Sequence, residues 1–267
     1  LGSSDNVRIN EWQADEDWIE LFNAAPLPVA LEGLCLTDDP TITGASNAPL
    51  PALTFIATAS AVRCAGLSPV VADVDPRSWL LTPEIARAAV RTIGARAVIP
   101  VTTFGAEQDG AAWSALERDT GVPVIIDAAA GYGNQRDPGP TCTVFSLHAT
   151  KPLAAGEGGF VVTRDAHLAH DIRRLSNFGI NLDRPADGPI GSAVATGTNA
   201  KLSEYHAAVA LASLDRWPAT AAERNALFAR SVRTAQAACK GRLTLQATAD
   251  DTVRAVCERL GKHPVTC

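Results

Sequence analysis

Phe145-Ser-Leu-His-Ala-Thr-Lys-Pro-Leu-Ala-Ala-Gly-Glu-Gly-Gly159 joins two strand-like runs, Thr141 to Leu147 and Gly159 to Thr163. Its small residues let a ligand approach the backbone, and they place Ser146 and Lys151 at or near a turn between the two strands. One strand upstream, Val122-Pro-Val-Ile-Ile-Asp127 reads as a run buried on both faces that ends on a carboxylate. Alone, a loop lysine is usually a solvated surface charge, and a lone aspartate at a strand end is weak evidence. Their combination points to a site.

Outward from this stretch, short β-branched runs alternate with helical ones. The sequence predicts a helix from about Ala57 to Ala65, a strand over Pro69 to Asp75, a strand over Ala97 to Val101 and a helix over Ala111 to Thr120. Between the first two strands, Thr82 is an N-cap, Pro83 takes the first helical position and Glu84 lies in the first turn. Ile85, Ala88, Ala89 and Ile93 then recur at helical spacing until Gly94 ends the helix. A further helix from about Ala166 to Leu175 opens after Asp165. This alternation implies right-handed crossovers and a mostly parallel, mixed sheet between helical layers, with ligands bound beyond the carboxyl ends of the strands.

The remaining segments are less regular. Residues 1–50 form an N-terminal segment with one short helix expected around Glu16 to Ala25, and residues 51–217 form the large domain. From Ser203 to about Ala238 the pattern is helical but holds Pro218, which is expected to end or kink it, so a boundary is placed near Trp217. Residues 218–267, with a helix over Val253 to Leu260, read as a short C-terminal α+β domain.

Composition narrows the function classes. A net charge of −6 with no basic stripe argues against nucleic acid or an anionic membrane surface as partner. The apolar runs are strand-sized, no secretory signal precedes the first acidic segment, and the six cysteines form no CxxC pair or zinc-like spacing. They are read as free thiols in a reducing cytoplasm, and no metal site is expected. The default partner is a small molecule.

Several stretches together resemble the sugar aminotransferases of the DegT/DnrJ/EryC1/StrS family, within the fold-type I pyridoxal-phosphate enzymes. They are Pro51-Ala-Leu-Thr-Phe-Ile-Ala-Thr-Ala59, Ala72-Asp-Val-Asp75, Ile125-Ile-Asp-Ala-Ala129, the lysine segment, and Gly197-Thr-Asn-Ala-Lys-Leu-Ser-Glu-Tyr-His-Ala-Ala208. Their order and spacing match over roughly residues 51 to 217. The resemblance implies an aspartate aminotransferase-like, three-layer large domain and pyridoxal 5'-phosphate as cofactor. It implies that Lys151 is the Schiff-base lysine and proton shuttle, and that Asp127 pairs with the protonated ring nitrogen. Ser146 matches a phosphate-binding serine, Phe55 an aromatic that stacks on the ring, and His148 lies close by. Asn199 matches an asparagine that reaches the phosphate from a neighbouring subunit, which implies a homodimer with shared sites.

The chain also departs from the family pattern. Ala130 stands where the family often has glutamine or histidine. Only Thr43-Gly-Ala-Ser-Asn-Ala48 precedes the Pro51 stretch, where a Gly-Thr turn and a long helix are usual, and Ser46 and Asn47 are read as a remnant of that phosphate-binding turn. The function implied is transfer of an amino group from glutamate or glutamine to a keto sugar, often nucleotide-linked. The alternatives are a natural-product enzyme acting on another carbonyl, such as a keto-cyclitol, and a catalytically silent dimeric partner. The related dehydratases replace the lysine, which is present here.

Overall fold

The computed structural model describes residues 7–13, 18–23, 47–136, 139 and 141–238. In chain order these form β1 (Val7–Gln13), β2 (Trp18–Asn23), β3 (Asn47–Pro51), α1 (Ile56–Cys64), β4 (Ser68–Ala72), α2 (Pro83–Ile93) and α3 (Gly110–Thr120). There follow β5 (Ile125–Asp127), β6 (Cys142–Ser146), β7 (Gly159–Val162), α4 (Ala166–Ser176) and α5 (Glu204–Ala238).

Local chemistry sets the helix limits. In α2 the Thr82 hydroxyl accepts from the Ile85 amide, Pro83 occupies the first turn, and Gly94 stops the helix at φ 64°, a conformation that costs a residue without Cβ little. In α3 and α4, Asp109 and Asp165 each accept from two first-turn amides. Arg87 of α2 pairs with Asp119 of α3 at 2.9 Å.

Strands β3 and β4 pair in parallel, as do β5 and β6, while β7 runs antiparallel to β6. Residues 95–102 join the two ladders. On one side Arg96 N and Ile99 N donate to the carbonyls of Asn47 and Pro49; on the other, Ile125 N and Asp127 N donate to those of Val98 and Pro100. The order across the sheet is therefore β4, β3, residues 95–102, β5, β6, β7. A full strand predicted over Ala97 to Val101 is reduced to bridges at Ala95, Val98 and Val101, because Pro100 has no N–H to give the ladder.

Alternation along residues 97–99 shows that both sheet faces are covered. Val98 packs with Trp113, Leu116, Ile126 and Ala86 in the core formed with α2 and α3. Ala97 and Ile99 point the other way, to Val62 and Ala59 of α1 and to Leu50. Helices on both faces of a mostly parallel sheet make this an α/β fold.

Three expectations are corrected. The helix predicted across Glu16 to Ala25 is not formed over its described part: Trp18–Asn23 is β2, antiparallel to β1, with Trp12 opposite Ile19 and Arg8 opposite Phe22. Aromatic and β-branched residues with a strand partner beside them favour pairing over an isolated helical turn. The strand predicted as far as Asp75 ends at Ala72, where the chain turns. Of the end or kink expected at Pro218, the end is missing, since the 35-residue α5 runs through it. Alanine-rich flanks supply helix propensity there, and Trp217 is fixed against Tyr132 at a ring-centroid distance of 4.8 Å. Helix α5 thus continues past the expected boundary near Trp217, while the helix expected over Val253 to Leu260 lies outside the described residues. Cys64 and Cys142 are free, and burial pushes the Cys142 thiol up from its ordinary pKa.

After β4 the chain reverses on Asp75, whose Oδ1 accepts from the amides of Arg77 and Ser78 and from the Ser78 hydroxyl. These bonds, the Ser78 amide first, hold its carboxyl below the usual carboxylate range. A depressed folded pKa means the stabilisation is present above the unfolded value and is lost as pH falls through the folded one. Asp75→Ala is expected to cost about 1 kcal/mol at neutral pH, or roughly 2–4 °C in Tm. Thermal unfolding of both proteins across acid pH should show the gap narrow as pH drops; a constant gap would refute the assignment.

Candidate active site

Chain direction puts the carboxyl ends of β3, residues 95–102, β5 and β6 along one edge of the sheet, and the site is built there. Strand β5 ends on Asp127, whose main-chain carbonyl accepts from Thr102 N at 2.9 Å. Its side chain is half-buried and held at both oxygens. Oδ1 accepts from Ala129 N at 3.0 Å, and Oδ2 accepts from the hydroxyl of buried Thr58 at 2.8 Å.

The first turn of α1 connects this carboxylate to the lysine. Thr58 lies in that turn, and Phe55 is its N-cap residue, with an exposed ring. The Lys151 Nζ stands 5.9 Å from the centroid of that ring, within the range of a cation facing an aromatic. One helical turn therefore touches Asp127 with one residue and Lys151 with another, so the two expected site residues border the same opening.

Lys151 sits in the loop between β6 and β7, and α5 holds that loop from behind. Ser213 donates to the Ala154 carbonyl at 2.8 Å, and Leu153 and Ala155 pack against Val209, Ala210 and Trp217. Gly158, at φ 124°, comes so close to Leu202 that a Cβ would stand 2.4 Å from its methyl group. The lysine thus stands on a braced loop, which limits the entropy lost in placing its amine.

Ser146 ends β6, and its Oγ accepts from His148 N at 3.1 Å, which leaves the hydroxyl proton for a further acceptor. The His148 ring turns into its own loop: Nδ1 lies 2.9 Å from the Thr150 hydroxyl and Nε2 lies 3.7 Å from Glu157. No described contact joins that ring to Asp127 or Lys151. Asn199 is exposed, in a segment bridged to Asn177 after α4, and no described contact joins it to Asp127 or Lys151.

The remnant read at Asn47 is corrected. Asn47 begins β3, at the amino end opposite the site, and its buried amide donates to the Ile93 carbonyl at 2.9 Å. Four residue steps of strand lead from it to Pro51, about 13 Å at the usual rise. It is a structural residue, and Ser46 lies outside the described residues.

Thr58 and Thr54 were not singled out from sequence. Their hydroxyls are 2.8 Å apart, Thr54 just before the N-cap residue Phe55 and Thr58 in the first turn of α1, and the only signal for them in the sequence is two threonines four residues apart around that helix start. Among the described residues no group of His, Cys, Asp and Glu could hold a metal ion, and no helix is long and apolar enough to cross a membrane.

The donor set fits the cofactor implied by the resemblance. A fixed carboxylate suits a ring N–H, an exposed phenyl face suits a flat heterocycle, and an amine on the same opening suits an aldehyde.

Comparisons with known proteins give the family. Residues 46–260 match the DegT/DnrJ/EryC1/StrS aminotransferase family. A Mycobacterium tuberculosis H37Rv protein, Rv3402c, is 32% identical over 174 residues, 62% of this chain and 40% of its own length. The solved structure of DesI with its TDP-sugar product is 40% identical, covering 69% of this chain and 47% of that one, with a TM-score of 0.58. That of 3-amino-5-hydroxybenzoic acid synthase is 30% identical, covering 76% and 53%, with a TM-score of 0.59. The chain spans about half the length of these relatives.

Proposed function

This chain belongs to the DegT/DnrJ/EryC1/StrS aminotransferase family, and from that premise we propose that it is a pyridoxal 5'-phosphate-dependent aminotransferase acting on a keto sugar. The observation that carries the reading is the shared opening, where Lys151 Nζ faces Phe55 while Thr58, one turn along the same helix, holds Asp127. When bound, the cofactor would supply an aldehyde for covalent capture and an electron-accepting ring.

The chain's own residues have distinct parts in this reading. Lys151 would hold the cofactor through its amine and, with that amine free, would move a proton at the carbon that bears the transferred amino group. Asp127 keeps a proton on the ring nitrogen, Phe55 orients the ring by its face, and the Ser146 hydroxyl donates to a phosphate oxygen. The reading includes a homodimer in which exposed Asn199 would serve a neighbouring subunit's site. Glutamate or glutamine is the proposed donor, and a nucleotide-linked keto sugar the proposed acceptor, in line with the TDP-sugar bound to DesI. The proposed compartment is the cytoplasm.

A second reading has the same chemistry on a carbocyclic ketone. The similarity to 3-amino-5-hydroxybenzoic acid synthase, whose named product is an aminated ring without a sugar, supports it. The test is an absorbance titration with pyridoxal phosphate and then glutamate, followed by TDP-keto sugars and keto-cyclitols as acceptors. A band that forms, shifts with glutamate and returns with a keto sugar supports the first reading. Return only with a cyclitol moves the assignment to the second, and no band at all refutes both.

A further inference from the structure

Asp127 has two carboxylate oxygens, and the bonds they already accept decide how it can meet a ligand. Oδ1 takes the Ala129 amide and Oδ2 takes the Thr58 hydroxyl. An ionised carboxylate only accepts, so Thr58 must donate its one proton to Asp127. In the 2.8 Å contact between Thr58 and Thr54 the donor is then Thr54, whose one other acceptor, the Phe55 carbonyl, is longer at 3.4 Å. The chain of bonds runs from Thr54 to Thr58 to Asp127 and ends on the negative charge. Thr58 is 4% exposed, so water does not readily replace it.

We propose that Thr58 is a positioning residue that aims the Asp127 carboxylate at the ring nitrogen of the bound cofactor, with Thr54 fixing the direction in which Thr58 donates. This rests on the pyridoxal-phosphate reading above. A carboxylate held at both oxygens keeps its remaining lone pairs in one orientation, and a charge-assisted bond of this length contributes about ten-fold to an equilibrium that depends on it. Because Thr58 shares a helical turn with Phe55, the group that faces the cofactor ring and the group that sets its nitrogen partner move together.

The test compares two probes on the intact chain: pyridoxal phosphate and its deaza analogue, in which carbon replaces the ring nitrogen. Thr58→Val keeps the shape and removes the hydroxyl; Thr58→Ser keeps the hydroxyl. Dissociation constants are read by absorbance titration, with thermal unfolding recorded for each variant. The expected result is that Thr58→Val weakens pyridoxal phosphate about ten-fold, leaves the deaza analogue unchanged, and that Thr58→Ser restores wild-type affinity. Equal weakening of both probes, or of neither, overturns the proposal. Failure of the wild-type chain to bind pyridoxal phosphate overturns the cofactor reading and this proposal with it, an outcome separate from a wild type that binds and a valine variant that does not discriminate.

Discussion

Lys151→Ala is expected to abolish covalent capture of pyridoxal phosphate and to lower the transfer rate by roughly ten-thousand-fold or more. On the proposed reading the variant loses two functions at once, the amine that would condense with the aldehyde and the base that would later move a proton. No other described lysine can substitute. Lys201, the only other one among the described residues, donates to Asn177 at 2.8 Å and stands over Phe178. The fold should survive, because the Lys151 main-chain amide keeps its bond to the His148 carbonyl and the loop keeps its bracing by α5. The check is borohydride reduction of the cofactor-treated protein followed by peptide mass spectrometry. The adduct should appear on the peptide holding Lys151 in wild type and nowhere in the variant. An adduct of equal yield on another lysine would remove Lys151 from the mechanism.

Much of this site was legible in the sequence because its backbone positions follow from strong local signals. Thr82, Pro83 and Gly94 fix α2 residue for residue, and an aspartate cap opens α4 where it was expected. A β-branched run ending in Asp127 fixes where β5 stops. The signals that failed are those where tertiary context outweighs local preference. Pro100 leaves residues 95–102 in line with the sheet while thinning their hydrogen bonding, and Trp217 on Tyr132 helps to hold α5 together through Pro218. Thr58 was hidden for a different reason. A threonine in a first helical turn has an ordinary explanation in every helix, and only the fold reveals a carboxylate 69 residues away in sequence at its hydroxyl. His148, expected from sequence among the cofactor-binding residues, has a ring that bonds within its own loop, to Thr150 and towards Glu157.

Asp127→Asn is expected to separate binding from chemistry, with covalent capture retained and the transfer rate reduced about a thousand-fold. Asparagine keeps the size and one carbonyl oxygen, which can still accept from Thr58 or from Ala129, although its amide end meets the other donor unfavourably. The expected stability cost is therefore about 1–3 kcal/mol, the range for one mismatched, partly buried hydrogen bond. The larger effect is on rate, because a neutral amide no longer favours the protonated ring, and the ring then accepts electrons poorly when the donor amino acid loses its proton. Borohydride trapping reports capture, and single-turnover kinetics with glutamate report the proton-transfer step. Capture with slow turnover is the expected pair of results, opposite to Lys151→Ala, where both are lost. A variant that turns over within ten-fold of wild type would show that Asp127 does not serve the ring nitrogen, and the shared opening beside Phe55 would then need another ligand.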